Sequence, residues 1–95
     1  MKNAYVVGQI SIKDHARWVE YRDQVPATLV PWDAELVFRG QLSSVLAGSH
    51  SHTDTVVLRF PSLESANGWH SSEQYQALVA LRNQAADVDL LVYES

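Results

Sequence analysis

The strands that this chain can form have two unlike faces. Taken at alternate positions, one set reads Val6, Ile10, Ile12, Leu36, Phe38, Val56, Leu58, Phe60, Val88, Leu90 and Val92. The other reads Tyr5, Val7, Gln9, Glu35, Val37, Arg39, Thr55, Val57, Arg59, Asp89, Leu91 and Tyr93. Side chains alternate across a strand with period two, so the sets predict opposite faces of one sheet. The first is aliphatic and calls for a dry core. The second mixes Tyr, Val, Leu and Arg. The helical segments suffice to cover one face only. The mixed face therefore calls for a partner chain, a ligand or both.

Composition narrows the class. A chain of 95 residues fits one domain, residues 1–95, with a modest core of its own. A hydrophobic content of 46% argues against disorder. A net charge of −4, with Lys and Arg scattered, argues against a nucleic-acid partner. There is no cysteine, so disulfides and thiolate chemistry are excluded. No apolar stretch approaches the ~18–20 residues of a membrane span, so no membrane partner is expected. Met1-Lys2-Asn3 leads straight into a strand pattern, which predicts no signal peptide and, by default, a cytoplasmic location.

The order of elements can be read from periodicity and caps. Residues 4–12 read as a strand. Asp14 suits a helix N-cap, and Trp18, Tyr21, Val25 and Leu29 form an apolar stripe behind it. Pro26 and Pro31 interrupt that stripe, which predicts a helix to about Gln24 and then a turn or kinked segment to about Val30. Residues 34–39 form a second strand, Gly40 a turn, and Ser44 to Ala47 a short hairpin strand. A polar loop from Gly48 to Asp54 precedes a strand over 55–60. Ser62 caps a short helix with Leu63, Ala66 and Trp69, and Ser71 with Gln74 restarts a second, striped by Tyr75, Leu78, Val79 and Arg82. Residues 88–94 are the last strand. This is the split strand–helix–strand order of a ferredoxin-like α+β domain with an antiparallel sheet and helices on one face. Two such sheets face to face make a homodimer with an internal cavity.

Several segments carry a family resemblance. They are Tyr5-Val6-Val7, Asp14, Tyr21, Arg39-Gly40, and above all Phe60-Pro61-Ser62 followed by Ala66, Trp69, Ser72, Tyr75, Gln76 and Arg82. On these the chain resembles domain-of-unknown-function family 1330, within the dimeric α+β barrel superfamily. The family usually has two glycines where this chain has Asp33 and Ala34, a glutamate at Ala47 and a tyrosine at His70. The resemblance implies a fold and a dimer. It implies no settled chemistry, since related barrels include cofactor-free monooxygenases, isomerases, haem proteins and ligand sensors.

Candidate site residues each have a plainer reading. Arg39, on the mixed face, can hold a carboxylate or phenolate through two parallel hydrogen bonds, or can pair with Glu35. Imidazole is the side chain suited to general-base work near neutral pH, so His70 is a candidate base, or is a junction histidine bonded to a carbonyl. Tyr21, Trp69 and Tyr75, with Trp18, lie on inward helix faces as core or as pocket walls. His50, His52 and Asp54 have the composition of a metal site, but polar loops often carry histidines, and none is expected. No cofactor is expected, since glycine-rich phosphate loops, dinucleotide fingerprints and nucleophile elbows are absent. Three readings follow. The first is a homodimer binding a small anionic or aromatic molecule between sheet and helices, with Arg39, Tyr21, Trp69 and Tyr75 in the site. The second is a cofactor-independent monooxygenase or isomerase with His70 as base. The third is a non-catalytic structural or interaction dimer.

Overall fold

A computed structural model describes residues 2–95. Strand β1 (Ala4–Ile12) leads to helix α1 (His15–Leu29) and a 3-10 turn at Val30–Trp32. Strands β2 (Glu35–Gln41) and β3 (Asp54–Phe60) follow, then helices α2 (Leu63–Ser71), α3 (Glu73–Gln76) and α4 (Val79–Ala85), and strand β4 (Ala86–Glu94). The strands form one antiparallel sheet in the order β2-β3-β1-β4. The ferredoxin-like α+β fold expected from the pattern is the fold observed.

Local chemistry explains the helix boundaries. The Asp14 carboxylate accepts from Arg17 N–H at 3.2 Å and caps α1. Ser62 Oγ does the same for Ser65 N–H at 3.0 Å. Two boundaries differ from expectation. The cap of α3 is Ser72, whose Oγ accepts from Tyr75 N–H at 3.2 Å, not Ser71. Helix α1 does not stop at Gln24 but runs through Pro26 to Leu29. Thr28 and Leu29 are buried there, and their burial outweighs the one backbone bond that proline removes. The 3-10 turn ends at Asp33, which takes the left-handed conformation at φ 54° that a short polar side chain tolerates. No strand forms at Ser44 to Ala47; the whole of 42–53 is irregular.

The core lies between the helices and one sheet face. Phe60, Trp69 and Tyr75 sit at its centre, with Trp69 centroids 5.3 Å from Phe60 and 4.3 Å from Tyr75. Truncating a buried Trp costs about 3–5 kcal/mol, a large part of a total of ~5–15 kcal/mol.

The faces follow the expected alternation except in β2. Leu36 pairs with Leu58, but Phe38 pairs with Val57 and Arg39 with Val56, which leaves Val37 as the extra residue of a β-bulge. Leu58 and Val56 belong to the helix-facing side, Val57 to the other. Beyond the bulge every side chain is therefore on the side opposite to the one simple alternation predicts. Arg39 leaves the mixed face for the helix side, and Phe38 takes its place in the open.

Candidate functional site

A cavity of about 220 Å³ lies between α1 and the helix-facing side of the sheet. Helix α1 contributes Trp18, Tyr21 and Arg22, spaced as one stripe. Trp69 of α2 closes another wall. On the sheet side, a cross-strand row runs Leu90, Gly8, Val56 and Arg39. Gly8 matters in that row. A Cβ there would come within 2.8 Å of Val56 Cγ1 and 3.3 Å of Leu90 Cδ2, so any side chain would crowd the floor.

Two guanidinium groups, Arg39 and Arg22, and the Glu35 carboxylate belong to a lining that is apolar over most of its extent. Arg39 is exposed and forms no ion pair among the described residues. Its plainer reading, a bridge to Glu35, is replaced by another pair: Arg59 Nε donates to Glu35 at 2.8 Å. That hydrogen bond, with the attraction between the charges, holds the Glu35 carboxyl below the usual carboxylate range.

Tyr21, Trp69 and Arg39 thus meet around one space, and Tyr75 joins them through a hydroxyl–hydroxyl contact of 2.9 Å with Tyr21. Burial pushes the Tyr21 hydroxyl well above the usual tyrosine range. The Trp69 indole N–H donates to Thr28 Oγ1 at 2.9 Å, and Thr28 in turn donates to the Val25 carbonyl. The indole is therefore satisfied by the protein, which leaves Trp69 as a wall and not a polar contact. His70 does not join the group. It is exposed on α2 and is not among the lining residues, with its ring 5.7 Å from that of Tyr75.

Two lining or supporting residues escaped the pattern. Arg22 follows the Trp18–Tyr21 stripe by one position, so the helical spacing held a signal for it. Thr28, a single polar residue in an apolar stripe, offered none.

In the histidine loop, His52 is held by hydrogen bonds at both ring nitrogens. His52 Nδ1 lies 3.0 Å from Ser11 Oγ and His52 Nε2 lies 2.8 Å from Asp89 Oδ2. Both ring nitrogens are occupied, and the ring fastens the 42–53 loop to β1 and β4. Asp54 instead accepts from Thr53 Oγ1 at 2.8 Å. Among the described residues no group of three or more His, Asp or Glu side chains converges to hold a metal ion.

The sheet order and one-sided helices define a ferredoxin-like α+β protein with a small apolar cavity under α1. The chain belongs to the family described as Domain of unknown function (DUF1330), whose sequence model matches residues 3–95. No curated protein matches it. Solved structures share its fold. The protein of unknown function RPA0582 from Rhodopseudomonas palustris superposes with a TM-score of 0.82 at 13% identity, over 98% of this chain and 82% of that one. A dimeric ferredoxin-like protein of unknown function from Jannaschia sp. CCS1 gives 0.76 at 9%, over 98% and 99%. SnoaB, a cofactor-independent oxygenase from Streptomyces nogalater, gives 0.71 at 6%, over 100% and 94%. At these identities the likeness concerns the fold alone. No helix among the described residues is long and apolar enough to cross a membrane.

Proposed function

We propose that this protein binds a small anionic or aromatic molecule in the cavity under α1, as a homodimer formed through the opposite face of the sheet. One observation carries the binding reading: apolar walls meet a guanidinium that has no acid partner. An apolar cavity of about 150 Å³ accommodates benzene. A space of about 220 Å³ has room for an aromatic ring with a substituent. Arg39 then supplies the anchor for a carboxylate or phenolate, by two parallel hydrogen bonds.

A proton-transfer reading has less support. The only carboxylate on the lining is Glu35, which Arg59 already holds. His70 stands outside. What favours a cofactor-independent oxygenase is the fold shared with SnoaB, and fold does not carry chemistry.

Calorimetry with 2-naphthoate tests the anchor. Wild type should bind it, and Arg39→Gln should bind it at least about tenfold more weakly, the worth of a charged hydrogen bond. Equal affinities, or no uptake by wild type, would remove the assignment.

A further inference from the structure

Behind the cavity lies a chain of three side chains with no role so far. Arg82 Nη1 donates to Tyr75 OH at 2.9 Å. Tyr75 OH is 2.9 Å from Tyr21 OH. Tyr75 is fully buried and Tyr21 is 7% exposed. Arg82 has no carboxylate partner among the described residues. Its Nη2 reaches Asn83 Oδ1 at 3.4 Å, and its Nε is buried with no acceptor.

Counting protons orients this chain. A guanidinium only donates. Arg82 and the two hydroxyls together bring three hydrogens to two gaps. One hydroxyl proton is left over. On Tyr75 it would be sealed in the interior without an acceptor, and a buried unpaired donor forfeits its full hydration. Tyr21, in contrast, lines the cavity. The order is therefore Arg82 to Tyr75 to Tyr21, and the last O–H has only the cavity in which to find its acceptor.

We propose that Tyr21 donates this hydrogen bond to an oxygen of the bound molecule, and that the ligand class is accordingly a phenol, an enol or a conjugated ketone, whose oxygen carries or gains negative charge. The proposal rests on the cavity-binding reading above and deepens it. The uncompensated charge of Arg82, two bonds back, polarises both hydroxyls in the same direction and strengthens the donor. Burial keeps Tyr21 protonated, so the donor is present across the physiological range. Such a donor suits an oxyanion better than a neutral oxygen. Arg82 and Tyr75 act as positioning residues, since neither lines the cavity.

Two probes of one shape test this on the full chain. 4-Nitrophenol has the acceptor oxygen and 4-nitrotoluene lacks it. Wild type should bind both, and the visible absorption of bound 4-nitrophenol should show it ionising at lower pH than the free dye. Tyr21→Phe should weaken 4-nitrophenol about ten- to a hundredfold. It should also return the dye's ionisation toward the free value and leave 4-nitrotoluene within about twofold. Arg82→Gln, which keeps the Tyr21 hydroxyl, should shift both readouts the same way by less. A Tyr21→Phe chain that binds 4-nitrophenol as wild type does overturns the donor and spares the cavity reading. One that loses both probes alike assigns the hydroxyl to the fold and overturns the donor too. Failure of wild type to take up either probe removes both readings.

Discussion

Tyr21 ties stability to pH. Its folded pKa is raised by burial above the ordinary value of 10.0. Below that value both folded and unfolded chains hold the proton, and the stabilisation is fully present. Above it the unfolded chain ionises while the folded one does not, so stability falls as pH rises, by up to about 1.4 kcal/mol per pH unit for this group. Tyr21→Phe should be less stable than wild type near neutral pH, where it lacks the contact with Tyr75. The gap should narrow between about pH 10 and pH 11. Urea unfolding midpoints across that range check it, and parallel curves would refute it. At this scale the sequence was legible where side chains repeat. Trp18, Tyr21, Trp69 and Tyr75 stand at helical spacing, and all four are buried. It was not legible where one polar group acts alone. Thr28 interrupts an apolar stripe without a periodic mark, and its partner Trp69 comes from a helix far away in the chain. The place of His70 outside the cavity lining was not legible for the same reason, since adjacency to Trp69 does not fix which way a ring points.

Among the elements, the strands and helices followed from alternation and caps, and their order gave the topology. The failures were at interruptions. Proline marked an end that helix α1 did not take, because Leu29 still had a core to reach. The bulge at Val37 left no trace in the pattern, since an aliphatic residue suits either side of a strand. Its presence makes a prediction opposite to the one simple alternation makes. Deleting Val37 closes β2 into a regular ladder and keeps the pairings of Leu36 with Leu58 and Arg39 with Val56. Arg39 should then stay on the helix side and 2-naphthoate should bind within a fewfold of wild type. Hydrogen exchange along β2 should slow. Had the strand been regular, the same deletion would turn Arg39 over and abolish binding. Loss of binding in a folded deletion variant therefore argues against the bulge.

For the molecule as a whole, the uncovered sheet face is the dominant feature. Leu91, Val7, Val57 and Phe38 form a continuous cross-strand row over all four strands. Leu91 and Phe38 are 43% and 54% exposed, and Tyr93, two residues from Leu91 on the same face of β4, is 54% exposed. A row of this kind suits a second copy laid across it. Sedimentation at about 10 μM, where the unmodified chain should run as a dimer, tests this. Leu91→Arg, which puts a charge into the apolar row a second copy would cover, should run as a monomer with its circular dichroism unchanged. A wild-type monomer would end the homodimer reading.

The placement of Arg39 away from that row has its own outcome. If the chain pairs through that row as proposed, the cavity of each subunit lies on the far side of its own sheet. Two molecules should load per pair, independently, with no cooperativity in the isotherm. By linkage, neither event should then alter the other: dilution that separates the twins leaves affinity alone, and saturation leaves the association constant alone.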